Sequence, residues 1–79
     1  MNAWYYIDVW RKGVQSTWGA DPNWRRVDSY GPIRTSEDNS KWWEQHFWMQ
    51  HYSPQGLLVR RFEFNGSVWV LKPSPVSLA

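Results

Sequence analysis

The chain has 79 residues, no cysteine and a formal net charge of +2, from nine Lys and Arg against seven Asp and Glu. Its length predicts a single domain with a thin core, and the lack of cysteine excludes a disulfide framework. The weak positive charge falls short of the dense basic surface typical of duplex-DNA binders. We find neither an apolar run long enough to span a membrane nor a signal peptide, so we expect a cytoplasmic protein.

Aromatic residues dominate the composition, at 19% of the chain with eight tryptophans among them. Each bulky ring buries about 150–250 Å² when it is covered. A domain of this size has too little interior to cover so many rings. We therefore expect part of the aromatic surface to lie on a face that contacts a partner.

The N-terminal half predicts two antiparallel strands joined by a long loop. Residues 4–10 are aromatic and β-branched, and residues 24–30 form a weaker strand that Gly31 and Pro32 are expected to end. The segment 14–23 between them is rich in glycine, proline and small polar residues, which favours a loop.

A helix is predicted after the second strand. Thr35 or Ser36 provides an N-cap, and Glu37 and Asp38 fall in the first turn, where the helix dipole favours negative charge. Residues 39–52 contain no Pro, Gly, Val or Ile, and turn-forming residues follow them. This segment is therefore expected to be helical.

A second hairpin is predicted near the C-terminus. Its strands are 57–64 and 67–71. Asn65 and Gly66 lie between them and favour a type I′ turn, which needs positive φ at both central positions. The register that follows places Phe62 opposite Trp69.

The element order is therefore β-β-α-β-β, which predicts an α+β fold. We expect an antiparallel sheet of about four strands with one helix packed on one face. The domain is predicted to span residues 1–72. The tail, residues 73–79, contains two prolines and is expected to be extended and frayed.

Strand alternation assigns each side chain to a sheet face. We expect the more apolar face of the second hairpin to pack under the helix. The residues predicted for the core are Tyr5, Ile7, Val9, Val27, Leu58, Phe62, Phe64, Trp69 and Leu71. The opposite face is then uncovered and carries aromatic residues interleaved with arginines.

No residue pattern points to catalysis or to a metal. The chain has no cysteine nucleophile and no Gly-x-Ser-x-Gly motif. His46 and His51 are five residues apart, so on a helix they lie on different sides and are poorly placed to bind one metal ion together. We therefore expect a non-enzymatic protein without metal or cofactor.

Contact with another protein is the function that this composition favours, because Trp, Tyr and Arg are enriched at binding hot spots. The partner is expected to be a second copy, or a host complex that the chain blocks, as small inhibitors from phages and mobile elements do. The residues predicted to contact it on the sheet are Trp10, Trp24, Arg26, Tyr30 and Arg61. Trp42 and Trp48 are predicted to form a second patch on the helix.

Single-stranded nucleic acid is the alternative partner. Bases stack on aromatic side chains and phosphates pair with arginine, so a sheet that presents both residue types suits a single strand. The residues predicted for this role are Tyr6, Trp10, Trp24, Arg25, Arg26, Arg60 and Arg61.

Overall fold

A computed structural model describes residues 1–12, 24–54 and 56–73 of the chain. They form one four-stranded antiparallel sheet and one helix, which confirms the predicted α+β class and element order. The elements are β1 (Asn2–Lys12), β2 (Trp24–Ser36), α1 (Glu37–Gln50), β3 (Leu57–Phe64) and β4 (Trp69–Lys72). The strand order in the sheet is β2-β1-β3-β4.

Two sequence predictions fall on residues outside this description. The predicted loop at 14–23 lies outside it, and so does the predicted tail except for Pro73. Within the described residues, no helix is both long and apolar enough to cross a membrane.

The core lies between α1 and the middle of the sheet. β1 turns its odd-numbered residues toward α1, and β3 does the same. Val9 is directly opposite Val59 in the ladder between these strands, so their side chains lie on the same face. The buried hydrophobic residues are Tyr5, Ile7, Val9, Phe47, Leu57 and Val59.

The predicted contribution of the second hairpin to the core is wrong, because β3 presents its other face to α1. Ile7 is paired with Arg61, and Arg61 is buried beneath the helix. It can lie there because the Glu44 carboxylate of α1 accepts a hydrogen bond from its Nε at 3.2 Å. The residues that consequently lie on the opposite sheet face, called the open face below, are Leu58, Phe62, Phe64, Trp69 and Leu71.

A bulge in β2 explains why Val27 is not a core residue. Val9 is paired with Asp28, yet the next pair joins Trp10 to Arg26, so Val27 is one residue too many for the ladder. Val27 is consequently 43% exposed. The bulge also changes the alternation, so that Arg26 lies on the open face while Asp28 faces α1.

β2 does not end at Gly31 and Pro32, as predicted, but continues to Ser36. A second register shift occurs here, because Tyr5 is paired with Ile33 whereas Ile7 is paired with Tyr30. Gly31 adopts a φ of +99°, a conformation that glycine reaches without steric cost. The glycine therefore lets the strand bulge and proceed.

The helix begins where the sequence indicates. The backbone N–H of Asn39 donates to Ser36 Oγ at 3.1 Å, so Ser36 is the N-cap. Glu37 lies in the first turn and pairs with Lys41 at 3.6 Å. The helix ends at Gln50, two residues before the predicted end at residue 52.

The register of the second hairpin differs from the prediction by two residues. Phe64 is opposite Trp69, and Phe62 is opposite Leu71 rather than Trp69. A shift of two preserves the alternation of side chains. Phe62 and Trp69 therefore still share a sheet face, but it is the open face.

The hairpin loop shows why the predicted type I′ turn does not form. Positive φ occurs at Gly66 (+101°) but at no residue other than glycine within the described residues. Asn65 instead uses its side chain, whose Oδ1 accepts from the N–H groups of Ser67 at 2.9 Å and Val68 at 3.0 Å. The Asn65 N–H donates to the Val68 carbonyl at 3.1 Å, which closes the loop.

Candidate binding surface

The open face carries a groove of about 490 Å³. Each of the four strands contributes to it. Half of the residues that line it are aromatic. The residues around the groove are Tyr6, Asp8, Trp10, Arg26, Pro32, Arg60, Phe62 and Trp69.

Aromatic rings make a continuous surface across the groove. The Tyr6 ring centre lies 6.3 Å from that of Phe62 and 6.4 Å from that of Trp69. Trp69 in turn lies 5.2 Å from Phe64. The ring planes are inclined to one another by 32° to 64°, which avoids the unfavourable face-to-face arrangement of ring quadrupoles. β1, β3 and β4 are thereby joined in one apolar surface.

An ion pair forms part of the groove wall. Arg60 donates from Nε to Asp8 Oδ1 at 3.0 Å and from Nη2 to Asp8 Oδ2 at 2.7 Å. Its guanidinium also lies 5.4 Å from the ring centre of Trp10 and 5.1 Å from that of Phe62. The hydrogen bond to Asp8 raises the pKa of Arg60 above its usual value. The two charges neutralise each other and hold the rings around them.

Arg26 is the cation at the rim of the groove. Its Nη1 donates to the Tyr6 hydroxyl at 3.2 Å. No carboxylate within residues 1–12, 24–54 and 56–73 forms an ion pair with it. Arg26 is therefore an exposed positive charge that an incoming acidic group can reach.

A second arginine–carboxylate network lies on the other side of the sheet, in the interior. Arg61 is 1% exposed, and Glu44 and Ser40 are fully buried. Arg61 donates from Nε to Glu44 at 3.2 Å and from Nη1 to Ser40 Oγ at 3.1 Å. Burial raises the pKa of Glu44, although Arg61 acts in the opposite direction. This network presents no group that a ligand could contact, so its role is structural.

The outward side of α1 carries a smaller aromatic patch. Trp42 is 56% exposed and stacks on His46, with ring centres 5.0 Å apart and an interplanar angle of 7°. A hollow of about 90 Å³ lies beside them. Trp48 is not part of this patch, because it packs against the core. The prediction that Trp42 and Trp48 form one surface is therefore wrong.

The two histidines are separated by structure as well as by sequence. His46 stacks on Trp42, whereas His51 Nε2 lies 2.9 Å from Asp28 Oδ2. In the part of the chain that the structure describes, no three side chains of the metal-binding types form a group that could hold an ion.

The residues predicted for partner contact are divided between three environments. Trp10 and Arg26 lie at the groove. Trp24 is exposed on β2 and is opposite Lys12, beyond the groove. Tyr30 faces α1 and stacks on a helix tryptophan, so its predicted place on the open face is wrong. The same prediction is wrong for Arg61, which is interior.

The residues predicted for nucleic-acid contact are also divided. Tyr6 and Arg60 join Trp10 and Arg26 at the groove. Arg25 is exposed on β2 and lies opposite Arg11 in the ladder, away from the groove lining.

Phe62 and Trp69 are groove residues that sequence analysis assigned to the core. Their pairing on one face follows from alternation, but the face itself depends on how β3 meets α1. The sequence analysis did not foresee that Arg61 is buried, and the burial of Arg61 places Phe62 on the open face. Glu44, the partner of Arg61, lies 17 positions earlier in the chain, at a spacing that carries no sequence pattern.

A groove lined by aromatic side chains together with a small number of polar groups has the usual form of a binding site. Comparison of the chain with models of known protein families, with curated proteins and with solved structures found no match. The groove on the open face is therefore the feature from which we infer a function.

Proposed function

We propose that this chain is a non-enzymatic protein-binding module whose groove binds a short segment of a partner protein. The observation that carries the proposal is the convergence of Tyr6, Phe62 and Trp69 in a groove that no described element covers. Rigid aromatic anchors with a nearby arginine are the residue types that dominate binding energy at protein interfaces.

The groove's chemistry indicates what the partner segment carries. Its aromatic walls favour an aliphatic or aromatic side chain, which gains by leaving water. Arg60 is neutralised by Asp8, so Arg26 is the lining cation that remains available. An acidic residue next to the apolar anchor would pair with Arg26 at the rim. We therefore expect an apolar side chain flanked by Asp or Glu.

Single-stranded nucleic acid is the second candidate. Exposed Arg26, at a groove lined in part by aromatic rings, favours it. Two of the arginines predicted for phosphate contact are nevertheless engaged internally, Arg60 with Asp8 and Arg61 with Glu44. A protein segment needs fewer free cations than a phosphate backbone does, so it ranks first.

The test is selection of binders from a displayed library of random peptides, followed by titration of the purified chain with the enriched peptide. Phe62→Ala is expected to weaken binding by about 2 kcal/mol, roughly thirtyfold in Kd, because a central aromatic anchor is lost. Arg26→Ala should weaken the binding of peptides that carry an acidic residue more than the binding of their neutral analogues. Trp42→Ala removes an exposed aromatic ring from α1, outside the groove, and should leave Kd unchanged.

Two outcomes would count against the groove as a protein site. One is that no enriched peptide depends on Phe62. The other is quenching of tryptophan fluorescence by single-stranded oligonucleotides at low salt that is relieved at high salt and lost in Phe62→Ala. Such salt dependence is the signature of phosphate contacts and would favour the nucleic-acid candidate.

A further inference from the structure

The two edges of the sheet differ in their protection against pairing with another strand. β2, at one edge, carries bulges at Val27 and Gly31, and includes Pro32. Exposed Arg25 and Arg34 add charge to it. Bulges, proline and charged residues are the devices by which proteins keep an edge strand from pairing. The β2 edge is therefore well protected.

β4, at the other edge, has neither a bulge nor a proline. Its first three residues, Trp69, Val70 and Leu71, are apolar and all exposed. Its single charge is Lys72, which pairs with Glu63 of β3 at 3.3 Å. No strand among the described residues pairs with its outer edge. β4 is thus an edge strand whose one charge is paired with β3, and no described strand bonds to its outward backbone groups.

The helix leaves β4 uncovered on both faces. α1 packs on β1, β2 and β3 but does not reach β4. Val70 lies on the helix side of the sheet and is still 41% exposed. Trp69 and Leu71 are exposed on the open face. A second sheet edge placed beside β4 would cover apolar surface on both sides at once.

We propose that β4 is a self-association edge that pairs antiparallel with β4 of a second copy of this chain. The loop-closing bond from Asn65 N–H to the Val68 carbonyl indicates which groups are free. Hydrogen-bonded pairs alternate along an antiparallel ladder, so Val70 bonds to Glu63. The N–H and C=O groups of Trp69 and Leu71 then point outward.

Twofold symmetry gives the register of the pairing. Directly opposed residues in a sheet have their side chains on the same face. A twofold axis perpendicular to the sheet must therefore place one residue opposite the same residue of the second copy. An axis at Val70 places it against Val70 of the second copy. Trp69 then lies opposite Leu71 of the second copy, and their outward N–H and C=O groups bond to each other. Apolar residues meet on both faces, without a charge between them.

The resulting dimer joins two four-stranded sheets into one continuous sheet. The axis is perpendicular to the sheet, so both helices lie on one side and both open faces on the other. The interface is formed by backbone groups of β4 and does not need a ligand in the groove. This proposal therefore stands or fails independently of the proposed function.

The test compares Val70→Lys with Val27→Lys by sedimentation equilibrium over a range of concentrations. Both valines are similarly exposed on edge strands, at 41% and 43%. The wild-type chain should approach twice its 9.5 kDa mass as concentration rises. Val70→Lys places two positive charges against each other at the axis and should remain monomeric. Val27→Lys alters the protected edge and should dimerise as the wild type does.

Amide hydrogen exchange of the wild-type chain keeps the proposal testable even if Val70→Lys does not fold. The Trp69 and Leu71 amides should be protected at high concentration and lose that protection on dilution, whereas the Val70 amide stays protected. A monomeric wild type at every concentration would overturn the proposal. So would dimerisation of folded Val70→Lys at wild-type strength, or a dimer whose Trp69 and Leu71 amides exchange freely.

Discussion

At the scale of single residues, the neighbours Arg60 and Arg61 show how one strand serves two environments. Their side chains leave β3 on opposite faces, and each meets a carboxylate from another element. Arg60 with Asp8 holds the wall of an open groove, whereas Arg61 with Glu44 is removed from water. The raised pKa of Glu44 indicates that burial of its charge is not fully offset by Arg61.

Arg61→Ala should reduce the free energy of unfolding by about 3–5 kcal/mol, because Glu44 would be left as an unpaired buried charge. Arg34→Ala is the matched control, since Arg34 is exposed, and it should change stability by less than about 0.5 kcal/mol. Urea denaturation followed by circular dichroism measures both. Replacing Glu44 and Arg61 together by leucine should recover much of the loss. If Arg61→Ala and Arg34→Ala were equally stable, the fold would not depend on the interior pair of Arg61 with Glu44.

At the scale of elements, β2 depends on its bulges. The bulge at Val27 places Arg26 at the groove and Asp28 against α1. The register shift at Gly31 lets the strand continue to the N-cap of the helix, and brings Pro32 to the groove lining. A regular strand of the same sequence would assign these side chains to other faces.

Gly31→Ala should destabilise the protein more than Gly66→Ala does. Both glycines have positive φ, +99° and +101°, so both substitutions carry the backbone strain of a left-handed conformation, about 1–2 kcal/mol. A Cβ at Gly31 would also stand 2.6 Å from the Tyr5 carbonyl oxygen, while one at Gly66 meets no atom within 4 Å. Denaturant midpoints measure the difference. Equal losses would show that β2 can shift to admit the methyl group.

At the scale of the whole molecule, the sheet offers two separate contact surfaces. The groove uses side chains of the open face, whereas the β4 edge uses backbone groups. Trp69 belongs to both surfaces. Phe62 and Val70 each belong to one of them, which allows the two contacts to be separated by mutation.

Phe62→Ala is expected to lose peptide binding and to retain the concentration-dependent dimer. Val70→Lys is expected to lose the dimer and to bind the peptide with wild-type Kd, because Val70 lies on the helix side of the sheet, away from the groove. Titration and sedimentation of the same two proteins check both statements. Loss of both properties in either variant would mean that the groove and the edge form one coupled interface.

The sequence alone determined the element order, the antiparallel hairpins and a helix N-cap at Thr35 or Ser36. These features depend on residues close together in the chain, on strand alternation, on helix capping and on the turn residues between strands. The sequence also indicated an uncovered aromatic sheet face that includes Trp10 and Arg26. Local physical chemistry is sufficient for such features, because each is decided within a few residues.

Only the tertiary structure decided which residues complete that face. Both faces of β3 are apolar enough to enter a core, so alternation could not choose between them. The choice depends on the pairing of buried Arg61 with Glu44, and on a bulge that turns Tyr30 toward α1. An interior ion pair between distant residues and a one-residue bulge have no local signature. They nevertheless place Phe62 and Trp69 in the groove.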